Sequence, residues 1–172
     1  LQMMNLQLPP HYCKADVSGS VLFHADCLEV LPKLFENSVD YSFTSPPYNR
    51  KRNDKYSDFT DINENWLKLN IDVITELLRV TKKHIFYNIQ ANYYNRQDVY
   101  KLIGHFSKNI VDVHILEKSN PMPASGKNIT NAVEYFLILG SESLKSNTTY
   151  TKNIITTSVN SSMPKEHKAV MK

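Results

Sequence analysis

The chain has 172 residues with a formal net charge of +3 and a pI near 8.7. Its length and composition fit one globular domain. The charge permits nucleic-acid binding without requiring it, because dedicated basic domains usually lie above about pI 9. The two cysteines, Cys13 and Cys27, are too few for a disulfide scaffold and lack metal-ligand spacing. No apolar run has the length of a membrane span, and the first residues do not resemble a signal peptide. We therefore expect a cytoplasmic protein in a reducing compartment, without a structural metal.

The amino-terminal stretch predicts a leader followed by a strand and a short helix. Residues 1–19 contain Pro9-Pro10, which disfavours a helix, and are predicted to be an irregular leader. Ser20 to His24 predicts a short strand, and the apolar spacing from residue 28 to residue 34 predicts an amphipathic helix. Asp26 lies in the turn between them, where an acidic residue commonly caps a helix.

The most informative stretch is the hexapeptide Thr44-Ser45-Pro46-Pro47-Tyr48-Asn49. It follows Val39 to Phe43, predicted to be a buried strand, and so lies at a carboxyl end, where open α/β sheets place their sites. The prolines fix φ and donate no N–H, which keeps the carbonyls of Ser45 and Pro46 out of helix or sheet ladders. Acceptors, a hydroxyl and an aromatic ring suit the binding of a planar ring that carries an amine. The alternative is an ordinary Pro-Pro turn with Tyr48 as surface packing.

A polar and basic segment follows the hexapeptide. Its cations are Arg50, Lys51, Arg52 and Lys55. They either contact a phosphate backbone or belong to a solvated surface loop. Their closeness to the hexapeptide in sequence favours the phosphate contacts.

The middle of the chain predicts an α/β sheet. Apolar residues from Trp66 to Leu78 mark one helical face, and His84 to Ile89 reads as the next strand. A strand, a helix and a strand in this order imply a parallel crossover. Asn88 and Gln90 are expected near Ser45, either lining a pocket or capping locally. A second amphipathic helix is predicted at 99–106.

The last part predicts a hairpin with an unusually long connection. Ile110 to Leu116 and Glu134 to Leu139 are expected to pair antiparallel. Their connection, 117–132, is long enough to be functional or disordered. Residues 141–164 are polar and predicted to form a linker, followed by a last segment at 165–172.

The hexapeptide after an apolar strand resembles the catalytic motif of DNA amino methyltransferases that use S-adenosylmethionine. The resemblance covers residues 20–140, with a fainter match at 165–169, and points to the circularly permuted beta group, in which the catalytic portion comes first. It implies an α/β, Rossmann-like methyltransferase sheet and double-stranded DNA as the partner. The implied catalytic residues are Ser45, Pro46, Pro47 and Tyr48. The implied cofactor contacts are Asp26, Thr44, Asn49 and His167. The implied DNA contacts are Arg50, Lys51, Arg52, Lys55, Pro121, Pro123 and Lys127, the last three in a loop that could also be a simple rigid surface feature.

One departure from the family pattern changes the expected architecture. Lys168 replaces the usual proline after His167, and no Gly-x-Gly occurs in the chain. The resemblance implies that strands carrying the cofactor glycine loop belong between the strand at 20–24 and the strand ending at Ser45. Without them that strand would have a bare edge. We therefore expect the catalytic portion of a longer protein, or one partner of a split enzyme.

The expected function is transfer of a methyl group to an exocyclic amine of a flipped base in a restriction-modification system. Ser45 before Pro-Pro-Tyr favours cytosine N4 over adenine N6, by resemblance alone. Two alternatives remain open at this stage. One is a catalytically silent DNA-binding module, and the other is an amino methyltransferase that acts on RNA or protein.

Overall fold

The structure is a computed structural model that describes residues 13–17, 20–50, 62–121, 130–143, 145 and 152–157. The strands are β1 (Cys13–Val17), β2 (Ser20–His24), β3 (Val39–Thr44), β4 (Thr81–Ile89), β5 (Ile110–Lys118), β6 (Val133–Gly140) and β7 (Ile154–Thr157). The helices are α1 (Cys27–Val30), α2 (Trp66–Val80) and α3 (Arg96–His105), with a 3₁₀ turn at Leu31–Lys33 after α1. None of these helices is long and apolar enough to cross a membrane.

Five of the strands form one mixed sheet in the order β3-β4-β6-β5-β7. β3 and β4 are parallel and are connected through α2, as the sequence predicts. β6 pairs antiparallel with both β4 and β5, which confirms the predicted hairpin. The register sets Thr44 opposite Tyr87, so the carboxyl ends of β3 and β4 lie side by side.

The hydrophobic core lies between one face of this sheet and the two long helices. Its largest buried side chains come from α2, α3, β4 and β6, and they are Trp66, Ile74, Ile85, Tyr87, Ile89, Val99, Leu102, Leu137 and Leu139. Their helical and alternating spacings are those that predicted the elements. Full burial of one such apolar side chain contributes about 1.5–3 kcal/mol. The polar atom of Tyr87 is satisfied inside the core, because its hydroxyl donates to Asn70 Oδ1 at 2.5 Å.

The opposite face of the sheet carries aromatic side chains near its β3 edge. The rings of Phe43 and Phe136 lie 5.7 Å apart, and those of Tyr41 and Phe86 lie 6.5 Å apart. Tyr41 is 52% exposed and Phe43 is 70% exposed. The prediction that Val39 to Phe43 is buried is therefore wrong. Within the described residues β3 pairs only with β4, so its other edge and this face lack neighbours.

Two regions predicted to be irregular contain strands. β1 lies in the predicted leader and pairs antiparallel with β2, with Val17 opposite Ser20. β7 lies in the predicted linker and pairs parallel with β5, which otherwise would be the sheet edge. The prediction of irregular structure is wrong at these two places.

Candidate active site

Hydrogen bonds to the carbonyls of Pro47 and Tyr48 hold the turn that follows β3 in place. The indole nitrogen of Trp66 donates to the Pro47 carbonyl at 2.6 Å. The amide nitrogens of Asn92 and Asn95 donate to the Tyr48 carbonyl at 2.7 and 2.9 Å. These three donors come from α2 and from the segment after β4. The turn is thereby fixed to two other parts of the fold.

The earlier carbonyls of the same turn stay available. Neither the Ser45 carbonyl nor the Pro46 carbonyl accepts a hydrogen bond from any residue in the described part of the chain. Ser45 is exposed and Pro46 is half-buried. This is the arrangement that the two prolines predict, because they remove donors and block helix formation locally. The turn can therefore offer acceptors to a ligand.

Asn49 closes the turn in a backbone conformation that few residues adopt. Its φ is 49°, in the left-handed region, which among the described non-glycine residues only Asn37 shares, with φ 53°. Asparagine tolerates this region better than other non-glycine residues. Its side chain donates to the Asn63 carbonyl at 3.0 Å and accepts from the Asn63 N–H at 3.1 Å. The end of the turn is thus bound to the segment that precedes α2.

A cluster of hydroxyl, amide and carboxylate groups surrounds the Tyr48 hydroxyl. The hydroxyl donates to Glu134 Oε2 at 3.1 Å. Its oxygen lies 3.2 Å from Ser45 Oγ and is also within hydrogen-bond distance of Asn88 Oδ1. Ser45 Oγ donates to the same Asn88 oxygen at 3.1 Å. Glu134 in turn forms an ion pair with Lys118, in which both side chains are largely buried. The expected closeness of Asn88 to Ser45 is confirmed.

The environment keeps the Tyr48 hydroxyl protonated. Burial raises the pKa of Tyr48 to about 12, the Ser45 hydrogen bond opposes this, and the neighbouring Glu134 adds to it. Tyr48 is therefore a neutral hydrogen-bond donor at every pH at which proteins normally work.

The Arg50 side chain lies against the turn. Its guanidinium is 5.0 Å from the centre of the Tyr48 ring and donates to Gln90 Oε1 at 2.8 Å. One cation of the predicted DNA-contacting set therefore adjoins the hexapeptide. The others in that segment, Lys51, Arg52 and Lys55, lie outside the described residues.

The predicted cofactor contacts are only partly described. Asp26 caps α1, because its Oδ1 accepts from the Leu28 N–H at 2.8 Å. The residue is exposed, and its carboxylate also accepts from the Cys27 thiol. Thr44 is the last residue of β3. His167 lies outside the described residues, as do Pro123 and Lys127, whereas Pro121 is half-buried after the end of β5.

Sequence reasoning missed most of the groups that hold the turn. Trp66 was assigned to packing alone, and Asn92, Asn95 and Lys118 received no role. Glu134 gave the clearest signal, because it is an acid in an otherwise apolar strand and is 8% exposed. Buried acids are normally paired, so its position indicated a polar partner inside the fold. In the described ranges no group of three or more His, Cys, Asp or Glu is placed to hold a metal ion.

Comparison with known structures defines the class of fold. PvuII DNA methyltransferase (cytosine-N4-specific) matches with a TM-score of 0.64 and 14% sequence identity, over 82% of this chain and 58% of that one. This similarity establishes the fold and confirms the predicted Rossmann-like methyltransferase sheet.

Sequence comparison identifies the family. A family described as DNA methylase, which groups N6 and N4 methyltransferases, matches residues 39–172. The chain therefore belongs to the N6/N4 DNA methylase family, whose methyl donor is S-adenosylmethionine. Type II methyltransferase M.MwoI of Methanothermobacter wolfeii is 32% identical over 140 residues, which are 72% of this chain and 21% of that protein. The chain thus spans only part of the length of both relatives.

Proposed function

We propose that this chain carries the target-amine site of a DNA methyltransferase that modifies an exocyclic amine of a flipped base. One observation carries the proposal. In the turn after β3 the carbonyls of Pro47 and Tyr48 are occupied by protein donors, whereas no described residue donates to the Pro46 carbonyl and Ser45 is exposed. An exocyclic amine has two hydrogens to donate, and these two acceptors match them.

The chemistry follows from those acceptors. An amine conjugated with an aromatic ring is a poor nucleophile, because its lone pair is delocalised. Hydrogen bonds to Ser45 Oγ and the Pro46 carbonyl favour a geometry in which the lone pair is directed at the methyl group, and fixed acceptors need no reorganisation during the reaction. When bound, S-adenosylmethionine would supply an electrophilic methyl group on its sulfonium. The N–C bond would form as the S–C bond breaks, S-adenosylhomocysteine would leave as a neutral thioether, and the methylated amine would release one proton to water. Flipping costs a few kcal/mol, offset by stacking on Tyr48 and by contacts in the pocket.

The proposed cofactor contacts fit a polar ligand beside the turn. Asp26 has an exposed carboxylate, Thr44 ends the strand that leads into the site, and Asn49 holds the turn. His167 completes the set by resemblance. These residues would hold the ribose, adenine or methionine parts of S-adenosylmethionine through hydrogen bonds.

Arg50 and its neighbours are the proposed DNA contacts. The Arg50 guanidinium covers the Tyr48 ring at 5.0 Å, so a base either takes the other ring face or displaces Arg50 towards a phosphate. Lys51, Arg52 and Lys55 would extend this electrostatic contact. Pro121, Pro123 and Lys127 are proposed to face the base and the DNA from the loop after β5.

Transfer of a labelled methyl group to unmethylated DNA tests the proposal, with digestion of the product to nucleosides. Label in N4-methylcytosine is the expected result, since Ser45 precedes Pro-Pro-Tyr, and label in N6-methyladenine would move the target to adenine. Tyr48→Ala should reduce transfer at least a hundredfold while nonspecific DNA binding changes little. Equal turnover by this variant would contradict the assigned role. A role in restriction-modification and a cytoplasmic location belong to the same proposal.

A further polypeptide segment is proposed to cover the β3 edge and supply the cofactor glycine loop. β3 has a strand partner on one side only among the described residues, and Phe43 beside it is 70% exposed. Open edges and exposed aromatic faces favour pairing with another segment. Such a segment could be downstream in the same protein, as circular permutation implies, or on a separate polypeptide.

Adding that segment to this chain tests the covering role. If the 172-residue chain alone transfers no methyl group, the downstream polypeptide should restore transfer. Phe43→Lys should then prevent restoration, because burying an unpaired ammonium is costly. Tyr100→Lys is the matched control, since Tyr100 is 62% exposed and lies on α3. Equal restoration with both variants would contradict docking at this edge, and no restoration with the unchanged chain would favour a silent DNA-binding module.

A further inference from the structure

The Tyr48 hydroxyl has more neighbours than its single hydrogen can serve. It lies within hydrogen-bond distance of the oxygens of Glu134, Asn88 and Ser45. A hydroxyl donates one hydrogen and accepts at two lone pairs. Glu134, ion-paired with Lys118, is a carboxylate and can only accept. The Tyr48 hydrogen therefore points at Glu134.

The other two contacts must then be bonds that Tyr48 accepts. Ser45 can donate to it across their 3.2 Å separation. Asn88 can donate only through its amide nitrogen, and that nitrogen is the one buried side-chain polar atom in the described residues without a partner. The oxygen and nitrogen of an asparagine amide have nearly the same shape. Turning the Asn88 amide over gives its nitrogen partners in Tyr48 and Ser45.

We propose that Glu134, held by Lys118, sets the direction of this hydrogen-bond chain so that Ser45 presents an acceptor to the target base. With the Ser45 hydrogen directed at Tyr48 and one lone pair of Ser45 Oγ accepting from Asn88, the second lone pair remains for the base. Glu134 is thus a positioning residue that acts through Tyr48 and does not touch the base. This inference rests on the proposed function, because it specifies which hydrogen-bonding group the same site recognises.

The direction of the hydrogen bonds from Ser45 through Tyr48 to Glu134 predicts that the site discriminates between an amine and a carbonyl on the base. A base with an amine donates to Ser45, whereas uracil in place of cytosine, or hypoxanthine in place of adenine, directs an oxygen at the same lone pair. Sites built around one hydrogen-bonding partner reject analogues that leave their groups unpaired. We expect the protein to bind the amine-bearing base at least about tenfold more tightly than the carbonyl analogue.

Glu134→Gln should reverse the direction of the hydrogen bonds between Ser45, Tyr48 and residue 134 while it preserves the size of the side chain. Lys118 can only donate, so it holds the amide oxygen of the new side chain and leaves the amide nitrogen facing Tyr48. The Tyr48 hydrogen is then displaced towards Ser45, and the Ser45 hydrogen turns outward. The site presents a donor where an acceptor is needed. Adding Lys118→Met releases the amide, which can rotate and accept from Tyr48 again.

The experiment uses the sample that transfers methyl groups, either this chain alone or this chain with the downstream polypeptide. Its substrate is a duplex whose target base has been located from the methylated product. Binding of duplexes with the amine or the carbonyl at that base is measured without S-adenosylmethionine, and kcat and KM are measured with it. Glu134→Gln should reduce the preference for the amine to the part that the Pro46 carbonyl supplies, and should lower kcat at least about tenfold with a smaller change in KM. The double variant Lys118→Met, Glu134→Gln should recover much of both. In a Tyr48→Phe background, Glu134→Gln should have no further effect on the preference.

Several outcomes overturn the inference separately from the proposed function. A Glu134→Gln protein that keeps the full amine preference would show that Glu134 does not set the chain direction. A double variant no better than Glu134→Gln would show that only the carboxylate charge or the fold matters, and thermal unfolding of each variant measures the fold directly. Absence of DNA methylation by the wild-type chain, both alone and with the downstream polypeptide added, would overturn the proposed function, and this inference with it.

Discussion

Replacing Asn95 should both destabilise the fold and loosen the acceptor turn. Asn95 is fully buried, and its amide nitrogen donates to the carbonyls of Tyr48 and Gln90 at 2.9 Å each. Its amide oxygen accepts from the Asn92 N–H at 2.7 Å. In Asn95→Ala the Tyr48 carbonyl keeps its bond from the Asn92 side chain, but the other two groups lose these partners. A buried group left unpaired costs about 1–3 kcal/mol, so we expect a loss of about 2–4 kcal/mol.

Thermal and denaturant unfolding measure this loss. For a chain of this size each kcal/mol lowers the Tm by about 2–4 °C, which gives a fall of about 4–16 °C. Asn95→Asp is the matched control, because it keeps the volume but directs carboxylate oxygens at the carbonyls of Tyr48 and Gln90. It should be at least as damaging as Asn95→Ala. A free energy of unfolding for Asn95→Ala within about 0.5 kcal/mol of the wild type, or an aspartate variant milder than alanine, would refute the reasoning.

Two further predictions concern stability. Gly140→Ala should lower the free energy of unfolding by about 1–3 kcal/mol, because its new Cβ would lie 2.7 Å from the Lys83 carbonyl oxygen. Gly104→Ala should raise the free energy of unfolding by about 0.5–1 kcal/mol, since nothing lies within 4 Å of the added atom in α3. Chemical denaturation compares the two variants, and equal effects would contradict the difference in packing around the two glycines. Burial raises the pKa of Tyr48 to about 12 and also raises that of Tyr87. The unfolded chain therefore releases these protons first, near pH 10, and the stabilisation is complete below that pH and falls as the pH rises further. Denaturant unfolding from pH 8 to 11 should show the decline, with a shallower slope in Tyr87→Phe; an unchanged slope would contradict it.

The parts of the fold that the sequence predicts are those with a strong local pattern. α2 and α3 follow from apolar residues at helical spacing, and the β5–β6 hairpin from two apolar runs in succession. The accessible carbonyls of Ser45 and Pro46 follow from proline chemistry, which acts within two residues. None of these features depends on a distant partner, and each is present in the structure.

Features that depend on distant partners could not be predicted from local patterns. Val39 to Phe43 has the composition of a buried strand, yet Phe43 is exposed, since among the described residues β3 has a neighbour on one side only. β7 is a run of only four residues inside a polar stretch, and it forms a strand because β5 offers it an edge. Burial and pairing in these cases are properties of the assembled sheet.

The anchors of the acceptor turn show the same limit and lead to one further conclusion. Trp66, Asn92 and Asn95 hold the turn's carbonyls, while Glu134 orients Tyr48 from β6. Each anchor lies far from the hexapeptide in sequence, so no local pattern could reveal it. All of them nevertheless belong to this chain and come from elements packed around one core. The proposed target-amine site is therefore built from residues of this chain alone, so we expect any defect in methyl transfer by this chain to arise in the binding of S-adenosylmethionine and to leave the geometry of Ser45 and Tyr48 intact.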